Sequence, residues 1–383
     1  MLRSTNLCFR RRSAGIIGLP NVGKSTLFNA LTCTQLAKTG NFPFCTIDAN
    51  ISKVPVLDKR LRALASFTGA KTVIDVEVDL VDVAGLIEGA SKGIGIGNKF
   101  LADIRLCSVL LHMVRCFESA RDGFGTPTPL EDTKIVLNEL LLSDLEVMEK
   151  KIHKAGKMGK SSEVAFMRRV AAGLESGIPA RDLRGPSATS FACAVARQKK
   201  VTLTPEEERW LNSYQLFSDK PMIFVLNVEE SSVKEGNTFS RTVEEAYGAD
   251  RTCRISASFE EQLSQMDSHH DRLLFLEEYG IDTPCSEFLI KRAYDLLRLQ
   301  SFFTVGPVMA HGWTVAYGSS AREAAGEIHS DFEKHFLSAK VLPWDVFIKK
   351  PNLESAEMQM QKVDATYKMR DGDIMIVKHG AVT

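Results

Sequence analysis

Apolar and polar positions divide the chain into three textures. Gly15 to Ile17 is a short apolar stretch, while Val109 to Cys116 and Lys220 to Val228 are nearly continuous apolar runs. Runs of this kind predict strands covered on both faces. From Lys71 to Leu80 the pattern alternates instead, with Ile74, Val76, Val78 and Leu80 on one side and Asp75, Glu77 and Asp79 on the other. That period of two predicts a half-exposed edge strand. The next strand ends in Asp82, and Thr252 to Ser258 supplies a further one ending in a small-residue turn. From Leu130 the period lengthens. Leu137, Leu141, Leu145, Met148 and Ile152 recur at threes and fours, as do Met167, Val170, Leu174 and Ile178 beyond Gly156 and Gly159. Two long amphipathic helices joined by a tight turn predict an antiparallel coiled-coil hairpin. Residues 262–299 are again helical in pattern. Beyond them come short strands, at His311 to Ala316, Lys340 to Val346 and Asp373 to Lys378, around one helix from Ala321 to Phe336.

An alternation of strand and helix that is broken by a helical hairpin predicts an α/β domain in two parts, 14–130 and 218–299, with a helical insertion at 131–217. Residues 300–380 predict a compact α+β module, and residues 1–13 a basic tail.

Composition narrows the function classes. With 44% hydrophobic and 25% charged residues over 383 positions, the chain is an ordinary soluble globular protein of two or three domains. Its formal net charge is zero, so any hold on nucleic acid must come from a local patch. One such patch is the hairpin tip, where Lys150, Lys151, Lys154, Lys157, Lys160, Arg168 and Arg169 face Glu163 alone. It is either a solvated helical end or a contact for RNA or an acidic partner. Eight scattered cysteines without a C-x-x-C pair read as inert thiols of a reduced intracellular protein. No apolar run approaches a membrane span, and a monomer is expected. Residues 1–13 carry four arginines and no acid. This suits a very short mitochondrial transit peptide or a disordered basic tail, leaving cytoplasm and mitochondrial matrix both open.

The chemistry concentrates where apolar strands end. Gly18, Gly23, Lys24 and Ser25 form the G-x-x-x-x-G-K-[ST] pattern of a phosphate-binding loop, with a strand before it and an amphipathic run (Leu27, Leu31) after it. Glycine lets backbone N–H groups wrap a triphosphate, Lys24 supplies a point charge, and the Ser25 hydroxyl is a magnesium ligand. Within the turn-rich segment from Thr39 to Ile51, Thr46 is the candidate to close over the γ-phosphate and magnesium. Asp82, followed by Gly85, is placed to reach magnesium through water while the glycine N–H senses the γ-phosphate. The next residue is Leu86, which cannot orient water as a glutamine would. Hydrolysis is therefore expected to be slow, to use another group, or to need a partner or an activating ion such as potassium. The glycines from Gly89 to Gly97 read as a switch segment. His112 lies inside an apolar strand, where it is either a core residue or a catalyst. Phe117 follows the same strand and could stack on a base. At the end of the next buried strand stand Asn227, Val228, Glu229 and Glu230 where guanine-specific proteins carry Asn-Lys-x-Asp, so the usual acid partner of guanine is displaced or absent. Ser256 and Ala257 belong to the small-residue turn fit to lie against the base.

With these residues the chain resembles the Obg-like ATPase (YchF) family of phosphate-loop NTPases. The resemblance rests on Gly-Leu-Pro-Asn-Val-Gly-Lys-Ser-Thr-Leu-Phe-Asn-Ala from Gly18, Asn-Phe-Pro-Phe-Cys-Thr-Ile-Asp from Asn41 and Asp-Val-Ala-Gly-Leu-Ile from Asp82. Gly-Ala-Ser-Lys-Gly from Gly89, Val-Arg-Cys-Phe-Glu from Val114 and Ala-Gly-Glu-Ile-His-Ser-Asp-Phe-Glu-Lys from Ala325 extend it over nearly the whole chain. It implies a G domain, an inserted coiled coil and a C-terminal TGS module of β-grasp type. It also implies a preference for ATP over GTP, with ATP touching Asn21, Val22, Gly23, Lys24, Ser25, Thr26, Phe117, Asn227 and Val228, and with magnesium on Ser25 and Thr46. The leucine at position 86 matches the family's own substitution. Ribosome association is implied as well, giving the basic tip and the C-terminal module RNA or ribosomal protein to hold. The arginine-rich tail is an addition to the family pattern, and Ala310-His311-Gly312-Trp313-Thr314 replaces its Val-Arg-Ala-Trp-Thr.

Overall fold

The computed structural model describes residues 12–36, 51–83, 96–118, 125–156, 161–184 and 203–380. The chain runs β1 (Ser13–Ile17), α1 (Lys24–Leu36), β2 (Ile51–Val56), α2 (Lys59–Thr68), β3 (Thr72–Ile74), β4 (Val76–Asp82), α3 (Ile96–Leu106) and β5 (Val109–Arg115). Three helices follow, α4 (Pro129–Gly156), α5 (Ser161–Glu175) and α6 (Pro205–Tyr214). Next come β6 (Met222–Asn227), α7 (Thr238–Tyr247), β7 (Thr252–Ile255), α8 (Ala257–Gln265), α9 (His269–Glu278) and α10 (Cys285–Leu296). The last stretch holds β8 (Leu299–Val305), β9 (Met309–Ala316), α11 (Ala321–Ile328), β10 (Phe336–Pro343), β11 (Gln361–Val363) and β12 (Asp373–His379).

These elements form two compact units. One takes in the described residues up to Ser52 together with Asp79–Ser286, and the other Lys53–Val78 together with the residues from Glu287 onward.

In the first unit the strands lie in the order β4-β1-β5-β6-β7, with β1 parallel to β4 and β5, and β5, β6 and β7 parallel in turn. β1 is Ser-Ala-Gly-Ile-Ile, buried at every position, so neither of its faces meets water. The chain moves from β1 to β4 on one side and to β5 on the other. The order therefore reverses beside β1, and in a parallel sheet that reversal opens a crevice at the carboxyl ends of the strands. Between β5 and β6, neighbours in the sheet, the chain makes the excursion α4–α5–α6. Leu141 and Met148 of α4 pack with Phe166, Val170 and Leu174 of α5, which is the hairpin that the longer period predicts. Its root is fixed by Asp144, whose carboxylate accepts the backbone N–H groups of Phe217 and Ser218, each at 2.7 Å. Burial raises the Asp144 pKa to about 6 even so.

The second unit is a mixed sheet in the order β11-β10-β12-β8-β9-β3. β8 and β12 are parallel at its centre, and β9 and β10 run antiparallel to them. α11, opened by a reciprocal capping box between Ser320 and Glu323, lays Ala321, Ala324 and Ala325 against Phe302 and Met375. α2 covers a second core, with Leu61 and Leu64 packed with Phe303 of β8. Asp58 caps the N-terminus of α2 and also pairs with Arg60, which reaches on to Asp371 at 2.7 Å. A strand sheet of this order with helical cover is the β-grasp type of module.

Three expectations change. The alternating stretch from Lys71 to Leu80 is not one edge strand: it is interrupted at Asp75, with β3 paired to β9 and β4 flanked by β1 and β2. The helix expected over 321–336 is broken in two, because His329 takes an extended conformation (φ −161°, ψ 138°) between α11 and a short helix Ser330–Lys334, and β10 has begun by Phe336. The strand expected at Lys340 to Val346 is β10, placed earlier and closed by a short helix from Trp344.

Candidate nucleotide-binding site

The loop after β1 turns through backbone conformations that side chains rarely allow. Gly18 has φ +149° and Gly23 φ +99°, and a Cβ on either would come within 2.5 Å of the Met113 carbonyl or the Asn227 amide. Asn21 adopts the left-handed region between them, at φ 58°. α1 starts at Lys24, so its unpaired N–H groups and positive dipole end face the loop. The Lys24 ammonium donates to the Gly18 and Leu19 carbonyls at 3.1 and 2.6 Å. Burial lowers its pKa to about 8, against the pull of the Asp82 carboxylate. Burial likewise raises the carboxyl of Asp82, at the end of β4, with Lys24 opposing. A cation and an anion thus face each other in a poorly hydrated cleft.

The far wall comes from the ends of β6 and β7. Asn227 donates from Nδ2 to the Val22 carbonyl and accepts from the Ala257 N–H through Oδ1, both at 2.9 Å. One amide side chain therefore ties the phosphate loop to the turn that opens α8. Ser256 caps that helix, its hydroxyl accepting from Phe259 N–H at 3.4 Å. Between these walls lies a cavity of about 830 Å³, lined on one side by Asn21, Gly23 and Thr26 and on the other by Phe117, Val228 and Ala257. Its volume is of the order of a nucleotide-sized ligand site. Glu230 and Tyr279 border it as well. Both Glu230 oxygens are engaged, Oε1 by the Gln262 amide at 2.7 Å and Oε2 by the Tyr279 hydroxyl at 3.3 Å.

Among the described residues no three His, Cys, Asp or Glu side chains gather as a metal site. The donors at hand are the exposed Ser25 at the start of α1 and the Asp82 carboxylate. Few hard oxygen donors beside a phosphate loop suit magnesium, which keeps most of its coordination for water and phosphate oxygens.

Most residues singled out from the sequence converge here: Asn21, Val22, Gly23, Lys24, Ser25, Thr26, Asp82, Phe117, Asn227, Val228, Glu230, Ser256 and Ala257 all lie at the carboxyl end of the first sheet. Thr46, Gly85, Leu86 and residues 89–95 are outside the described residues. His112 does not join the site. It is 1% exposed in the middle of β5, its ring 5.4 Å from that of Phe224, and burial lowers its pKa to about 3. A histidine neutral at all ordinary pH and walled in by the sheet is a core residue, which corrects the catalytic reading. Sequence reasoning missed Gln262 and Tyr279. They sit in a stretch that reads only as helical, and the one local sign is an aromatic before Gly280 at a helix end.

Two family models match the chain. One, YchF-GTPase_C, described as "Protein of unknown function (DUF933)", covers residues 299–380, and the other, "50S ribosome-binding GTPase", covers residues 13–151. The "Ribosome-binding ATPase YchF" of Bacillus subtilis is 33% identical over 378 residues, 95% of this chain and 98% of that protein. The chain belongs to the YchF family. The YchF of Haemophilus ducreyi, also named a ribosome-binding ATPase, is 36% identical over 371 residues, 94% of this chain and 97% of its own. The solved "Structure of the Schizosaccharomyces pombe YchF GTPase" superposes with a TM-score of 0.80 at 28% identity, covering 96% of this chain and 98% of that one. YchF likeness thus spans both units, and no helix among the described residues is long and apolar enough to cross a membrane.

Proposed function

We propose that this chain is a P-loop ATPase of the YchF type that binds ATP in preference to GTP, hydrolyses it slowly with magnesium, and associates with ribosomes. The observation that carries the reading is the Asn227 bridge from the Val22 carbonyl to the Ala257 N–H, which makes the phosphate loop and the base wall one continuous pocket. In that pocket Lys24 would hold the β- and γ-phosphates, and Ser25 with Asp82, directly or through water, would hold the ion that neutralises their charge. Phe117 and Ala257 would enclose the base. Thr46 and Gly85 would complete the γ-phosphate side. Adenine is favoured because Val228 and Glu230 stand where guanine readers place lysine and aspartate. The names of the bacterial relatives support ATPase activity and ribosome binding. The hairpin tip, with Lys150, Lys151 and Lys154, offers the charge for RNA.

Isothermal titration with ATP and GTP in magnesium buffer tests the assignment: tighter ATP binding is expected, and tighter GTP binding overturns it. Single-turnover hydrolysis tests the activity, and equal rates for wild type and Lys24→Ala would remove catalysis from this site. The matched G-domain model and the fission-yeast structure both carry the word GTPase, which favours a GTP switch as the second reading. The same titration separates the two.

A further inference from the structure

Glu230 stands at the sequence position of a guanine-reading carboxylate, and both of its oxygens accept from protein donors. Gln262 Nε2 holds Oε1 at 2.7 Å and the Tyr279 hydroxyl holds Oε2 at 3.3 Å. The tyrosine is itself fixed: its ring packs edge-on against Phe259 and Phe275, with centroids 5.1 and 5.3 Å away. Gln262 projects from α8, the helix that Asn227 joins to the phosphate loop. The neighbouring acid, Glu229, is also occupied, by Ser232 and Asn237, each at 3.0 Å. Guanine offers a carboxylate two donors, N1–H and the 2-amino group. Adenine offers a lone pair at N1, which a carboxylate repels. An acid held by its own neighbours is less available to the first and, with part of its charge offset by their donors, repels the second less.

We infer that Gln262 and Tyr279 form a latch that sets base preference by holding the Glu230 carboxylate off the purine. They are positioning residues acting through Glu230, and the inference rests on the nucleotide reading of this pocket. Releasing the latch frees a carboxylate at the pocket rim that guanine can use.

The test uses the full chain and isothermal titration with ATP and GTP in magnesium buffer. The proteins are wild type, Gln262→Met, Tyr279→Phe, the double variant, and the double variant with Glu230→Gln added. The affinity ratio within one preparation is insensitive to any loss of folded protein. The double variant is expected to bind GTP more tightly, lowering the ATP:GTP preference about tenfold, the worth of one charge-assisted hydrogen bond. The single variants should fall between, and Glu230→Gln should restore the original ratio. A ratio unchanged in the double variant, in a wild type that prefers ATP, overturns the latch alone. So does a lowered ratio that persists with Glu230→Gln. A wild type that prefers GTP, or that binds neither nucleotide, overturns the latch together with the proposed function.

Discussion

Replacing Lys24 with methionine should abolish nucleotide binding while leaving the free protein about as stable as before at neutral pH. The ammonium is buried beside the loop it serves, and that burial brings its pKa from 10.5 to about 8. The shift corresponds to about 3 kcal/mol of unfavourable free energy for the charged form at neutral pH. Methionine has nearly the same length and no charge to desolvate. Against the gain stands the loss of the two hydrogen bonds to the Gly18 and Leu19 carbonyls. Donated by an ammonium, each is worth about 1.5 kcal/mol, so at neutral pH the two bonds nearly cancel the desolvation and the nucleotide-free variant should melt close to wild type. The pH dependence gives the sharper signature. Between about 8 and 10.5 the unfolded lysine carries a proton that the folded one has shed. Wild-type stability therefore gains from this group as pH rises through that window, and is lowest in this respect below about 8. The stability of Lys24→Met relative to wild type should be highest below the window and should fall by about 3 kcal/mol toward its upper end. Thermal denaturation of the nucleotide-free proteins at both ends of the range, with titration of ATP at neutral pH, reads both effects. A stability difference that does not move against Lys24→Met as pH rises through the window, or ATP binding retained at neutral pH, would refute the account of a desolvated ammonium held ready for phosphate.

Gly23→Ala forces a Cβ against the Asn227 amide at a backbone angle of φ +99°. Affinity for ATP and GTP should fall together, by tenfold or about 1.4 kcal/mol at least, and an unchanged titration would contradict the bridge. Arg60→Ala leaves Asp58 and Asp371 without the guanidinium they share. Loss of a partly buried, doubly paired charge should lower stability by about 2–3 kcal/mol, seen as an earlier melting transition with ATP affinity retained. Val228→Lys combined with Glu230→Asp rebuilds the lysine and the shorter acid of a guanine reader, and the aspartate is too short to hold both Gln262 and Tyr279. The ATP:GTP ratio should move toward guanine, and no movement would place specificity in other residues.

The phosphate loop is legible from sequence because its chemistry is local. Glycines that must turn, a lysine and a hydroxyl at fixed spacing leave little freedom, and the structure bends the backbone where Gly18 and Gly23 stand. Asp82, Phe117 and Asn227 are legible for a related reason: each follows an apolar run, and parallel strands bring their carboxyl ends to one crevice. Period alone is a poorer guide to partnership. The alternation from Lys71 to Leu80 is the same for one strand or two, and nothing in it says that β3 pairs with β9 while β4 lies beside β1. A helix that breaks at His329 without a proline is equally silent, since the break is local: His329 caps a second short helix that starts at Ser330. Tyr279 and Gln262 were invisible because they act on Glu230 from positions distant in the chain, and only the packing of Phe259 and Phe275 aims the tyrosine hydroxyl.

Residues Lys53–Val78 fold with the segment beginning at Glu287, so the C-terminal quarter is not a detachable appendage. A chain truncated just before Leu299 would strip Leu61 and Leu64 of Phe303, Ala310 and Leu342 and leave Arg60 with one carboxylate in place of two. Swapping this module between relatives would therefore require grafting two separate stretches at once, and a single-cut chimera would carry an orphaned greasy helix into solvent.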